Sequence, residues 1–384
     1  MFATLLAATL CALARGAQVP ATSPLVQWTG RVVRNYTAGD VSFDWESARA
    51  LFTVRGATAV WATLGSTFWA APPAGEGAAR ALQQAQFPKF GVYRVYVDGL
   101  RQGADLGGIV VAHGTAEYAL VDGLDPARSH NISLWFTTDP VFNSWPDLDA
   151  GRGCKQTVVA LRTDGDFAPP PPLRERSMLI LGDSITSGNA MFKPCDNATK
   201  CDSSQSYAGL ICEAFALNCT QLTASSKGLV HNCCDDLTTT VPVLANRTFA
   251  QDNSSQFDWA AAPYDAAWVH LGTNDGSKAT PAAFSAAYLS LLRNVARHGV
   301  KNDIPIFAAW GPNSALFAPW VAAAAANATA EGLNVHLVDL MDAPLDGCGH
   351  PGVLGHPAMA RLAAPAIAAA TGWPWSHTNF SSAP

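Results

Sequence analysis

Gly182-Asp183-Ser184 follows directly on the apolar run Ser177–Leu181, and Ile185-Thr186-Ser187-Gly188 follows it. A hydroxyl on a glycine-opened turn at the end of a buried strand stands where a serine nucleophile is needed. The ordinary use of a serine there is a helix N-cap. Lys227-Gly228-Leu229 comes after the apolar segment Gln221–Ala224. A glycine at that point lets a backbone N–H approach a bound oxygen closely, or simply makes a turn. In Gly272-Thr273-Asn274-Asp275-Gly276 the Asn274 amide can donate to a developing oxyanion and Asp275 can fix the loop, although Asn-Asp-Gly is also plain turn chemistry. Asp346-Gly347-Cys348-Gly349-His350-Pro351 brings a histidine before the last helix, placed as a general base or as a capping residue. Each block alone has a bland explanation. Four in this order, each at an expected strand end, point to nucleophilic catalysis on one rim.

The elements that must position these blocks alternate. Strands are expected at Ser177–Leu181, Ala266–Leu271, Ile304–Trp310 and Asn334–Leu340, with helices over 206–217, 281–298, 318–331 and 353–370, the last containing Pro365. That rhythm calls for a parallel sheet covered on both faces, whose ligands bind beyond the C-terminal ends of the strands. The first half reads differently. Val41–Trp45, Leu51–Val54, Ala59–Leu64, Val92–Val97 and His130–Phe136 are short and partly alternating, broken by Gly and Asp, as in an antiparallel sandwich. Asp166-Phe167-Ala168-Pro169-Pro170-Pro171-Pro172 is the strongest break, since four prolines favour a stiff spacer.

With 384 residues, two domains are expected at roughly 150 residues each. Hydrophobic residues make up 49% and charged residues 14%, enough for large cores. A net charge of −6 argues against nucleic acid or an anionic membrane as partner. No apolar stretch reaches the ~18 residues of a membrane span. Phe2–Ala14 has signal-peptide length, with Ala12-Leu13-Ala14 before a cleavage site but no basic n-region. Its removal takes Cys11 and leaves Cys154, Cys195, Cys201, Cys212, Cys219, Cys233, Cys234 and Cys348, an even set that suits disulfides. No paired C-x-x-C spacing suggests zinc. N-x-S/T stands at Asn35, Asn131, Asn197, Asn218, Asn246, Asn253, Asn327 and Asn379. A secreted, N-glycosylated eukaryotic protein is the resulting expectation.

The four blocks resemble those of the SGNH (GDSL-type) hydrolase superfamily, and the match covers about residues 177–372. Gly30-Arg31, Phe43-Asp44-Trp45 and Tyr93–Gly99 resemble the N-terminal jelly-roll of carbohydrate esterase family 2, as do Lys227-Gly228-Leu229, Gly311-Pro312 and His350-Pro351. The resemblance implies a flavodoxin-like three-layer α/β domain with a parallel sheet, preceded by an all-β jelly-roll. The expected boundaries are a signal peptide at 1–17, the sandwich at 24–165, a linker at 166–174 and the hydrolase domain at 175–376. It also implies a secreted esterase that removes acetyl groups from polysaccharide, with Ser184 as nucleophile and His350 as base. The oxyanion hole would be the N–H groups of Ser184 and Gly228 and the amide of Asn274.

No cofactor or metal is required by that scheme, the partner is an acetylated polysaccharide or oligosaccharide, and a monomer is expected. The superfamily usually places an acid three residues before the histidine, and some family 2 members place one two before. Here those positions hold Gly347 and Cys348, so either Asp346 orients the imidazole or a backbone carbonyl leaves a Ser-His dyad. Cys348 is expected in a disulfide tying the histidine loop to another loop such as that of Cys233 and Cys234. Trp310 is the best candidate to stack on sugar, ahead of Trp61 and Trp69, against core packing as the usual fate of Trp. The alternatives are a general short-chain carboxylesterase or lipase, and a carbohydrate-binding protein whose esterase site has decayed.

Overall fold

The computed structural model describes residues 16–68, 91–102, 108–141, 154–193, 201–233, 239–300 and 303–376. Every strand pairing among the described residues of the first half is antiparallel. One sheet runs Gly114–Val121, Val60–Phe68, Cys154–Thr163, Asp40–Phe43, Val33–Asn35, with Gln18–Pro20 also paired to Cys154–Thr163. The other runs Asp166–Ala168, Arg49–Arg55, Ser129–Phe136, Gly91–Val97, Leu100–Arg101, with Gln27–Thr29 and Ile109–Val111 on its flanks. Their inward residues make one core, in which Val41, Phe43, Leu64 and Val158 of one sheet meet Phe52, Tyr93, Leu134 and Phe136 of the other. Alternation along half-buried strands builds a sandwich of this kind.

Both expected edges of the sandwich move outward. Ala17 already belongs to it, since Thr163 N–H donates to the Ala17 carbonyl and Ala17 N–H to that of Gly165. A cut after Ala14 leaves those bonds intact, whereas a leader ending at 17 does not. At the other end, Asp166–Ala168 pairs with Arg55–Thr53, and Phe167 packs on Phe52 at 5.9 Å. The break therefore begins at Pro169, because proline cannot continue a ladder while the three residues before it can. The expected signal segment falls mostly outside the described residues.

Five parallel strands form the second domain: the first is Arg176–Gly182, the second Leu217–Thr223, the third Ala266–His270, the fourth Ile306–Trp310 and the fifth Val335–Asp339. Their spatial order is second-first-third-fourth-fifth. Helices Pro281–Arg297 and Ala318–Ala330 pack on one face around Leu179, Leu181, Val269 and Phe284. Helices Tyr207–Ala214 and Gly355–Thr371 pack on the other around Met178, Ile180, Trp268 and Met359. This is a three-layer α/β unit whose chain reverses direction around the first strand, which opens a crevice at the C-terminal ends of the first and third strands. The helix expected over 206–217 stops at Ala214, since Leu217 opens the second strand, and a Cys212–Cys219 disulfide joins the two.

Polar contacts lock the domains together. Buried Arg94 of the sandwich meets buried Asp202 at 2.8 Å, and Asp44 accepts the N–H groups of Ala250 and Gln251 at 2.9 Å. Arg31 donates to the carbonyls of Ala245 and Arg247 while its guanidinium lies 3.7 Å over Phe257. Among the described residues no helix is long and apolar enough to cross a membrane. Of the sequon asparagines, Asn35, Asn131, Asn253 and Asn327 are exposed. The amides of Asn218 and Asn246 donate instead to the carbonyls of Arg174 and Pro242, at 2.6 and 2.9 Å.

Candidate active site

Ser184 opens the short helix Ser184–Ser187 straight after the first strand. The capping role falls to its neighbour: Asp183 is extended and its carboxylate accepts the N–H of Ile185 at 3.0 Å. That leaves the serine hydroxyl for other work. The turn is tight enough to need Gly182, where a Cβ would stand 2.1 Å from the Thr186 hydroxyl. Ser184 N–H, at the start of the helix, has no intrahelical partner and makes no bond among the described residues.

His350 arrives from 166 residues away. Its Nε2 lies 2.9 Å from the Ser184 Oγ, and its Nδ1 lies 3.3 Å from the Cys348 carbonyl oxygen. A carbonyl only accepts, so Nδ1 carries the proton and the Nε2 lone pair faces the hydroxyl. This is the tautomer a general base needs. Cys348 and Cys233 are both disulfide-bonded.

Asp346 is not where the triad reading needs it. Its carboxylate accepts the N–H groups of Gly352 at 2.6 Å, Leu354 at 2.8 Å and Gly355 at 2.9 Å, and no bond joins it to His350. Burial pushes that carboxyl up, but the three donors outweigh it and hold it below its usual value. The physical reason is the loop's path: Gly347 N–H bonds back to the His350 carbonyl at 2.9 Å, and the turn leaves Asp346 facing the start of the last helix. Asp346 therefore anchors the loop to the start of the last helix, and the group beside His350 Nδ1 is the Cys348 carbonyl, the second of the two expected alternatives.

The Gly228 and Asn274 loops sit side by side. Fully buried Asp275 accepts three consecutive N–H groups of the glycine loop, from Leu229, Val230 and His231, at 2.9, 2.7 and 2.9 Å. Asn274 Nδ2 donates to the Lys227 carbonyl at 2.9 Å and, more loosely, to Asp183 Oδ2 at 3.3 Å. Gly228 N–H donates to Asn232 Oδ1 at 3.0 Å. Of the three expected oxyanion donors, then, only Ser184 N–H is unpartnered here, and the other two must exchange a protein acceptor for an incoming one. Asn232 holds the Gly228 N–H without any sign of it in the sequence. Nothing in Leu229-Val230-His231-Asn232 marks that role.

Burial pushes the Asp183 carboxyl up to about 7, against the Ile185 N–H and with help from nearby Asp275 and Asp139. For His350, burial lowers the imidazole below its ordinary value, and the Cys348 carbonyl opposes this. A base must be unprotonated, so with His350 in that role activity would be present above the imidazole's pKa and lost below it. The kcat/KM for an aryl acetate should therefore rise through an inflection below about 6.5 and be flat through neutrality. An acidic inflection above about 7 in a pH–rate profile would contradict this placement of His350.

The tryptophans divide. Trp310 ends the fourth strand half-buried and packs against the core that contains Phe284 and Phe317. Trp61 lies on the outer face of the sandwich under the Arg162 guanidinium, 3.9 Å from its ring centre, and Glu117 grips that guanidinium with both oxygens. That guanidinium occupies one face of the half-buried Trp61 ring, on the sandwich and away from Ser184. Trp69 lies outside the described residues.

No protein-family model and no curated protein matches the sequence. Solved structures do. A family two carbohydrate esterase from Clostridium thermocellum, in complex with cellohexaose, matches at 20% identity over 91% of this chain and 99% of that one, with a TM-score of 0.74. A family two carbohydrate esterase from Cellvibrio japonicus matches at 18% identity over 93% and 98%, also with a TM-score of 0.74. An acetyl xylan esterase from the rumen bacterium Butyrivibrio proteoclasticus matches at 15% identity over 91% and 96%, with a TM-score of 0.73. At these identities the likeness is one of fold, and it spans both domains.

Proposed function

We propose that the protein is a secreted serine esterase of SGNH type that removes O-acetyl groups from a polysaccharide. The observation that carries this reading is the 2.9 Å contact between Ser184 Oγ and His350 Nε2 at the rim of the parallel sheet. The likeness of fold to carbohydrate esterases supports the choice of substrate class. His350 takes the Ser184 proton as the oxygen attacks the ester carbonyl carbon. The carbonyl oxygen becomes an oxyanion that Ser184 N–H meets first, joined by Asn274 Nδ2 and by Gly228 N–H as it leaves Asn232. Imidazolium then protonates the departing sugar oxygen, and the C–O bond breaks to leave an acetyl-serine. Water, deprotonated by His350, attacks that ester and releases acetate, and the proton returns to Ser184.

One observation favours a second reading, a general short-chain carboxylesterase. The histidine loop carries three exposed aliphatic side chains, Leu345 at 44%, Val353 at 49% and Leu354 at 56%. The two readings separate on substrate. Purified protein is given acetylated xylan or glucomannan, an aryl acetate and a longer-chain aryl ester, beside Ser184→Ala. Acetate release from the glycan, abolished in Ser184→Ala, is the expected result. Preference for the longer chain supports the carboxylesterase. Glycan binding with no turnover by the wild type overturns both.

A further inference from the structure

The seam between the domains buries carboxyl groups that this mechanism does not use. Asp139 stands three residues after the sandwich strand Ser129–Phe136 and is fully buried. Its Oδ1 accepts the N–H of Val141 at 2.7 Å, which fixes the turn it stands on. Its Oδ2 reaches the other domain and accepts both the N–H of Ser225, at 2.8 Å, and the Ser225 hydroxyl, at 2.7 Å. Glu46, also from the sandwich, accepts the hydroxyl of Thr223, the last residue of the second parallel strand. Two carboxyls of one domain thus grip the segment that leads into Lys227-Gly228 of the other.

Ser225 is tied to the nucleophile as well. The Asn189 amide donates to the Ser225 hydroxyl at 3.3 Å, and Asn189 N–H donates to the Ser184 carbonyl at 3.0 Å. The path Asp139, Ser225, Asn189, Ser184 therefore spans the gap between the nucleophile's helix and the glycine loop. Well-packed apolar residues generally serve a buried seam at least as well as ionisable ones. A carboxylate here needs another reason, and the contacts supply one.

We propose that Asp139 is a positioning residue of the esterase site: through this carboxylate the β-sandwich sets the placement of the glycine loop relative to Ser184. The inference rests on the Ser184–His350 reading above. Donors stabilise an oxyanion only when held where it forms, and a misplacement of about 1 Å costs roughly 10²-fold in rate. In Asp139→Asn one acceptor becomes an NH2 donor, so the side chain can hold either the Val141 N–H or the Ser225 donors but not both, and the grip on the glycine-loop segment is loosened.

The test compares wild type, Asp139→Asn, Ser225→Ala and Ser184→Ala on an aryl acetate, with melting temperatures alongside. Affinity for an alkyl boronic acid, which forms a tetrahedral adduct on a serine, is measured in parallel. Asp139→Asn should lose about 10²-fold in kcat with KM within about twofold, and bind the boronate correspondingly less well. The acidic inflection of its pH profile should not move, because that belongs to His350. If Asp139→Asn does not fold, Ser225→Ala, which keeps the backbone contact and loses only the hydroxyl, should show the same pattern at about tenfold. Folded variants with unchanged kcat, or with lowered melting temperature and unchanged boronate affinity, overturn the proposal. Undiminished turnover by Ser184→Ala would instead overturn the esterase reading beneath it.

Discussion

His350→Ala should lower kcat for aryl acetate hydrolysis by about 10⁴- to 10⁶-fold, whereas Asp346→Asn should cost less than about 10²-fold. The first figure is what removal of a base acting as a unit with its nucleophile costs in serine hydrolases. Among the described residues the imidazole is the group that meets the Ser184 hydroxyl, at 2.9 Å, and no second base is placed there to substitute for it. The second figure separates the dyad from the triad. A carboxylate that holds the imidazole's tautomer is worth about 10⁴ in kcat. Here the Cys348 carbonyl holds Nδ1–H at 3.3 Å, and a backbone carbonyl survives any side-chain change at 346. Asp346→Asn should loosen the loop through its bonds to Gly352, Leu354 and Gly355, and be seen mainly in thermal stability. Kinetics of the two variants under one set of conditions decide it. A loss near 10⁴ in Asp346→Asn would mean that the carboxylate reaches His350 in the working enzyme.

What the sequence made legible follows from where the apolar residues cluster. Ser177–Leu181, Ala266–Leu271 and Ile304–Trp310 are covered on both faces, so they read as continuous apolar runs closed by glycine, and their C-terminal ends located Ser184 and Asn274. The second strand is less legible. Leu217-Asn218-Cys219-Thr220-Gln221-Leu222-Thr223 is half polar because it stands at the sheet's edge, paired among the described residues with the first strand, so Leu217 reads as the end of a helix and Gln221–Ala224 only as an apolar segment. Asp346 could not be assigned, since where a carboxylate points depends on a turn closed by the Gly347–His350 bond rather than on spacing. Asp139 left no local sign at all. Its partner Ser225 lies 86 residues away in the other domain, and Thr-Thr-Asp-Pro looks like any loop.

Gly228→Ala should cost about 10²- to 10³-fold in kcat while the protein still folds, and the reason is steric. A Cβ at 228 would stand 1.9 Å from the His231 carbonyl oxygen and 2.7 Å from Asp275 Oδ2, roughly 1 Å short of the closest approach a carbon tolerates at the first of these. Neither neighbour can yield easily, because that same carboxylate holds the N–H groups of Leu229, Val230 and His231. The strain is relieved only by moving residues 227–228. That shift carries two donors away together: the Gly228 N–H itself, and Asn274, whose amide is aimed by its bond to the Lys227 carbonyl. Loss of one oxyanion donor typically costs 10²–10³ in kcat with little change in KM, and two that move as a unit need not add. The loop lies at the end of the sheet rather than within its core, so the melting temperature should fall without loss of the fold. Steady-state kinetics with circular dichroism on Gly228→Ala check both halves. A folded variant within tenfold of wild-type kcat would show that the glycine loop plays no part in stabilising the oxyanion.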